Sequence, residues 1–261
     1  MILSAADWIS RQDWCNGRVG MYGKSWGGFN GLQLAFLQPP ALKAVISLYS
    51  TDNRYEDDIH WKGGCVLGGG MLSWASFMFC WDGRAPQPQY NPAWRSVWRE
   101  RLEQAGQSCV RTWLDHQTYD QYWRHGSVCE DYDNIQIPVL LFGGWHDGYT
   151  NAAFRLAEKL PDCRAVVGPW SHNWPDTAVP GPNMAYMDEC LQFWTEHLKQ
   201  EEVRLSWSSL PRLRWWQCRG EIPPGPRVIS WPGQWQASHT TGTRDTLCYR
   251  WGEYSSLKTI L

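Results

Sequence analysis

The sequence predicts an α/β fold: a mostly parallel sheet flanked by helices, interrupted by a helical insertion and followed by a β-rich region. Three observations carry this expectation. Residues 18–50 run strand, glycine turn, helix, strand. The same rhythm returns over residues 136–200. The stretch between them is rich in Trp, Gly and charge and has no strong strand signal. Apolar strands alternating with helix-period segments are the mark of βαβ units.

In chain order, residues 4–12 open as a helix. "RVGMY" (18–22) is short enough and apolar enough to be a buried strand. It runs into "GKSWGG", and the next segment, "FNGLQLAFLQPP", spaces Phe29, Leu32, Leu34, Phe36 and Leu37 at roughly helical intervals until Pro39 and Pro40 stop it. "LKAVISLYS" (42–50) is nearly continuous in apolar residues, as a strand covered on both faces must be. Helices are expected near 93–104 and 120–124 inside the insertion. "IPVLLFGGW" and "CRAVVG" read as strands, while "NAAFRLAEKL" and "NMAYMDECLQFWTEHLK" read as helices. From residue 201 the chain turns Pro-, Trp- and Ser-rich, and "RLRWWQC" and "DTLCYRWGEY" look like short strands. The divisions expected are therefore 1–51 and 136–200 for the two parts of the core, 52–135 for the insertion and 201–261 for a linker with a β region.

Composition narrows the function classes. The chain has 261 residues, 43% hydrophobic and 19% charged, enough for a sizeable core. Lys and Arg number 24 against 26 Asp and Glu, with no basic tract, so nucleic acid is not an expected partner. No apolar run reaches membrane-spanning length and the first residues do not read as a secretory leader. Nine cysteines stand singly, with no C-x-x-C pair, which suggests reduced thiols in a cytoplasmic protein. An oligomer is compatible with this composition. Most of the 20 tryptophans are expected in packing.

The chemistry centres on Gly23-Lys24-Ser25-Trp26-Gly27. The pattern G-x-S-x-G is cheap, but between a strand and a helix it describes a nucleophile elbow, a strained turn that lifts the serine oxygen clear of the sheet. A serine hydroxyl needs a base, and the base needs an acid to hold its tautomer. In α/β hydrolases these follow in the order Ser, Asp or Glu, His, each in a loop after a strand. Asp147, in "VLLFGGWHDGYT", and His172, in "AVVGPWSHNWP", have that order and those positions. His146 adjoins the acid and would point away from it. His60, His116 and His125 fall in the insertion, His197 on the last helix and His239 in the β region. The amide of Trp26 would be one oxyanion donor, and Tyr149 and Trp170 would stand near the site, as pocket lining or as packing beneath it. The cluster in "YEDDIH" (Glu56, Asp57, Asp58, His60) reads as a solvated segment rather than a metal site or an amine pocket, and "GGCVLGGG" as a loop without the ending of a phosphate loop. Neither metal nor cofactor is expected.

The stretches "NGRVGMYGKSWGGFNGLQLAFLQPPALKAVISLYSTDNRYEDDIH", "YWRHGSVCEDY", "VLLFGGWHDGYTNAAFRLAEKL" and "GPWSHNWPDTAVPGP" together resemble the cocaine-esterase-like (CocE/NonD) hydrolases. That family is related to Xaa-Pro dipeptidyl-peptidases and α-amino-acid ester hydrolases. The resemblance implies an α/β-hydrolase core, a helical cap inserted after the strand that follows the nucleophile helix, and a C-terminal jelly roll. Its nucleophile, acid and base fall on Ser25, Asp147 and His172. It implies a serine hydrolase acting on a small ester or a short peptide-like substrate through an acyl-enzyme. The family pattern also carries core strands and a tyrosine oxyanion donor before the elbow. Here one helix and one strand precede Ser25, so the chain reads as incomplete at both ends. The alternative expectation is a non-catalytic remnant of such a hydrolase.

Overall fold

In a computed structural model the structure describes residues 2–106, 108–201, 210, 212–218 and 249–254. The chain divides into two compact units, one of residues 1–50 and 132–261 and the other of residues 51–131.

The first unit opens with α1 (Ile2–Ser10), slightly earlier than its predicted span. β1 (Val19–Lys24) leads directly into α2 (Trp26–Phe36), and β2 (Leu42–Leu48) returns parallel to β1. Six of the seven β2 residues are buried, which is why its sequence shows no alternation.

The second unit is built around aromatic rings. Asn53 accepts from the amides of Tyr55 and Glu56 and sets the first turn. A tight hairpin of β3 (Trp61–Lys62) and β4 (Cys65–Val66) precedes α3 (Gly68–Asp82). Then follow α4 (Trp94–Gln104), α5 (Cys109–Asp115) and α6 (Gln121–Arg124). Ser108 and Asp120 cap α5 and α6 by accepting from the amides of Val110 and Tyr122. The core is Trp61, Met71, Ala75, Trp113 and Trp123. His60 packs edge-on to Trp113 at 4.5 Å, with its Nδ1 2.9 Å from the Arg54 carbonyl oxygen. The Arg54 guanidinium lies over Tyr122 and Trp123 and donates to the carbonyls of Tyr122 and His125. Within "YEDDIH", Asp58 lies 3.5 Å from the His60 ring and Asp57 3.7 Å from Lys62, so these charges have partners inside this unit. The "GGCVLGGG" stretch supplies β4 and the first turn of α3 rather than a loop throughout.

The first unit resumes with β5 (Val139–His146), α7 (Thr150–Lys159), β6 (Cys163–Ser171) and α8 (Tyr186–Trp194), which runs into a wide turn, Thr195–Lys199. β7 (Leu213–Cys218) and β8 (Tyr249–Tyr254) complete a sheet of order β1-β2-β5-β6-β7-β8. The pairs from β1 to β7 are parallel and β8 is antiparallel to β7. β7 thus extends the core sheet. The remainder of the expected jelly roll, His239 included, lies outside the described residues. The sheet core holds Ile46, Leu48, Leu140, Phe142, Val166 and Trp170, covered by Tyr186 and Phe193 of α8. Arg214, 3% exposed, forks onto Glu189 of α8 through bonds of 2.7 and 3.3 Å, the geometry in which a buried guanidinium is satisfied. Asn16 donates to the carbonyl of Leu198, and Arg18 donates twice to that of His197. The wide turn after α8 therefore grips the loop that enters β1.

Candidate active site

Ser25 sits between β1 and α2 with φ 57° and ψ −123°. A non-glycine residue there is strained by about 1–3 kcal/mol, held only because its surroundings fix it. They do so here through its backbone. The Ser25 amide donates to the Leu48 carbonyl at 2.8 Å, and its own carbonyl accepts from Phe29 at 2.9 Å. Two glycines allow the turn. A Cβ at Gly23 would lie 2.2 Å from the Gly27 carbonyl carbon, and one at Gly28 would lie 2.4 Å from Ser47 Oγ. Gly27, the second glycine of the five-residue pattern, has open space around it.

The acid loop follows β5. The Asp147 side chain is 3% exposed, and the Asp147 amide donates to the Gly144 carbonyl at 3.2 Å. Thr150 Oγ1 donates to the carbonyls of both Gly144 and Asp147, closing the turn into α7. The base loop follows β6. His172 Nδ1 lies 3.0 Å from Asp147 Oδ1, the two residues being 25 apart in sequence. The His172 side chain is 38% exposed, so the imidazole bridges a buried carboxylate and solvent.

The elbow and the base loop are joined by contacts that the sequence reading had not singled out. Lys24 Nζ donates to the His172 carbonyl at 3.4 Å and stands 5.0 Å over the Trp174 ring. Trp174 is stacked between Tyr22 of β1 and Tyr186 of α8, at 6.0 and 6.2 Å, and the two tyrosine hydroxyls are 2.9 Å apart. Burial, reinforced by the neighbouring Tyr186 hydroxyl, pushes the Tyr22 phenol well above its ordinary value. These residues show as aromatic or basic positions beside Ser25 and His172, but only the fold reveals that they stack.

The rings of Tyr49 and Tyr149 each stand 5.6 Å from that of His172. Tyr149 thus lies beside His172. Trp170 does not line an open pocket. It is fully buried in the sheet core, and its Nε1 donates to the Pro182 carbonyl at 2.8 Å. The strand position that brings it close to His172 points its ring inward. Trp26 opens α2 with its side chain 50% exposed. Among the described residues Ser25 Oγ makes no hydrogen bond to a His172 ring nitrogen.

A parallel sheet with a strained serine on a strand–helix elbow, and an Asp–His pair on loops after two later strands, defines the α/β-hydrolase class. The chain belongs to the X-Pro dipeptidyl-peptidase (S15) family, whose profile matches residues 2–174. It is 26% identical over 189 residues to the cocaine esterase of Rhodococcus sp. strain MB1 Bresler, covering 64% of this chain and 33% of that protein. Among solved structures it resembles a CocE/NonD family hydrolase from Staphylococcus aureus, at 18% identity and a TM-score of 0.62, covering 82% of this chain and 34% of that one. It also resembles an α-amino acid ester hydrolase, at 17% identity and a TM-score of 0.55, covering 82% of this chain and 39% of that one. The chain thus spans between a third and two-fifths of these relatives.

Proposed function

We propose that this chain carries the nucleophile, acid and base of a serine hydrolase that cleaves an ester or amide through an acyl-enzyme. The observation that supports it most is the hydrogen bond from His172 Nδ1 to buried Asp147, made between loops after β5 and β6, on the sheet that also holds the elbow. With Nδ1 so engaged, the His172 tautomer leaves Nε2 as the acceptor.

Ser25 Oγ attacks the scissile carbonyl carbon as its proton passes to His172 Nε2. Asp147 holds the ring and offsets the imidazolium charge. The amide of Trp26, next after the nucleophile at the start of α2, donates to the oxyanion, and the helix dipole adds to it. The imidazolium then protonates the departing alcohol or amine. Water, activated by the same nitrogen, releases the acyl group and restores Ser25. Tyr149 stands at the rim of the acyl site. The substrate is a small ester or a short peptide-like amide, as the cocaine esterase and α-amino acid ester hydrolase among the relatives suggest, and the reduced thiols suit a cytoplasmic setting.

The test is a fluorophosphonate probe, followed by peptide mapping. The expected result is one labelled serine, Ser25, with labelling and activated-ester hydrolysis both lost in Ser25→Ala. Labelling elsewhere, or ester turnover that survives Ser25→Ala, would refute the reading.

A further inference from the structure

Two polar atoms beside the base are buried without a hydrogen-bond partner: the Tyr49 hydroxyl and Asp147 Oδ2. Such groups are rare, because each forfeits its hydration for nothing, and each calls for an explanation. Tyr49 follows β2 directly, is 2% exposed and has φ 46°, a left-handed backbone that costs a bulky residue energy. Its amide donates to the Phe142 carbonyl on β5, so the residue is pinned between the two strands. Its ring faces His172 at 5.6 Å, and a Cβ at Gly144, on the strand leading to the acid, would lie 3.2 Å from Tyr49 Cε1. A strained, fully buried tyrosine with an unused hydroxyl and an acid with an unused carboxylate oxygen thus stand beside the same imidazole.

We propose that Tyr49 is a positioning residue whose hydroxyl is linked to Asp147 Oδ2 through one bridging water, and so fixes the carboxylate that orients His172. This rests on the reading of Asp147 and His172 given above. A carboxylate held at Oδ1 alone can pivot about its Cβ–Cγ bond. A second donor on Oδ2 removes that freedom and keeps Oδ1 aimed at Nδ1. The charges facing the Tyr49 hydroxyl agree with this placement. After burial, the largest influence holding its phenol protonated is the charge of Asp147, ahead of Tyr186 and Asp176. A protonated phenol is the form that donates.

Two measurements on the full chain test the proposal. In ester turnover, Tyr49→Phe keeps the ring and removes only the hydroxyl. It is expected to lower kcat about tenfold with KM within about twofold, because orientation acts on the transition state and not on substrate binding. In urea unfolding, Tyr49→Phe is expected to lower the midpoint in the wild-type background and to have no such effect in Asp147→Ala, where the acceptor is gone. An equal midpoint shift in both backgrounds overturns the link. Unchanged kcat in Tyr49→Phe, where Ser25→Ala abolishes turnover, overturns the positioning role while the hydrolase reading stands. Turnover that survives Ser25→Ala overturns the hydrolase reading, and with it the positioning role, and the unfolding comparison then decides only whether the two side chains are linked.

Discussion

Replacing Gly27 and, separately, Gly28 by alanine separates what the motif spells from what the turn requires. At position 28 the new methyl would lie 2.4 Å from Ser47 Oγ, 2.9 Å from the Gly23 carbonyl oxygen and 3.1 Å from Ser50 Cβ. Two of these atoms belong to the buried Ser47–Ser50 hydroxyl pair, 2.5 Å apart, and the third is backbone. Overpacking of this kind costs about 1–3 kcal/mol. Disrupting the hydroxyl pair adds about 1 kcal/mol. Alanine in a helix returns about 1 kcal/mol over glycine. Gly28→Ala should therefore destabilise by about 1–3 kcal/mol, or about 2–12 °C in Tm for a chain of this size. At position 27 nothing stands within 4 Å of the added methyl, so only the helix term remains. Gly27→Ala should be neutral or raise Tm by about 2–4 °C. Differential scanning calorimetry on both variants, with fluorophosphonate labelling alongside, measures the pair. If Gly27→Ala proves the more damaging of the two, the steric account of the elbow is wrong.

Asp147→Asn should lower kcat by about 10⁴-fold with little change in KM, since an amide favours the wrong imidazole tautomer, and a loss under tenfold would remove Asp147 from the orienting role. Burial pushes the Cys190 thiol up to about 12 and holds that of Cys163 still higher, so both stay protonated at pH 8, whereas Cys65 and Cys80 are exposed. Iodoacetamide should label Cys65 and Cys80 in the native protein and reach Cys163 and Cys190 only in urea, read by peptide mass. Burial also lowers the His197 imidazole from its ordinary value. The unfolded chain then binds the extra proton first, so stability is complete above about pH 6.5 and falls as pH drops through the folded value. Urea midpoints at pH 7 and pH 5 should differ more for wild type than for His197→Gln, and equal differences would rule His197 out as the group responsible.

The elbow was legible because each of its parts leaves a local mark: an apolar strand, small residues at a tight turn, a helical period and a Pro-Pro stop. The acid and base loops were legible for a related reason, since both follow strands whose apolar runs end at glycine or a polar residue. α3 was missed. Its sequence, GGGMLSWASFMFCWD, starts with three glycines and has no polar face, so neither a cap nor a period announces it. The pairing of β7 with β6 was also hidden, because the edge that β7 joins is made by residues some 50 positions earlier in the chain. Tyr49 fell inside the expected strand 42–50, whereas β2 ends at Leu48 and the left-handed backbone of Tyr49 depends on the β5 carbonyl that receives its amide. Trp170 was read from its nearness to His172 in sequence, which says nothing about which face of β6 it occupies.

The tether between the start of β1 and the wide turn after α8 bears on the order of events during synthesis. Arg18 waits for a carbonyl 179 residues downstream and Asn16 for one 182 residues downstream. At about 5–20 residues per second, the loop that feeds the elbow stays untied for roughly 10–40 s after it is made. Contacts of such long range are closed late, after the local helices and adjacent strands have formed. The serine motif is thus translated well before its tether, and a nascent chain halted before Leu198 holds the whole motif without its clasp.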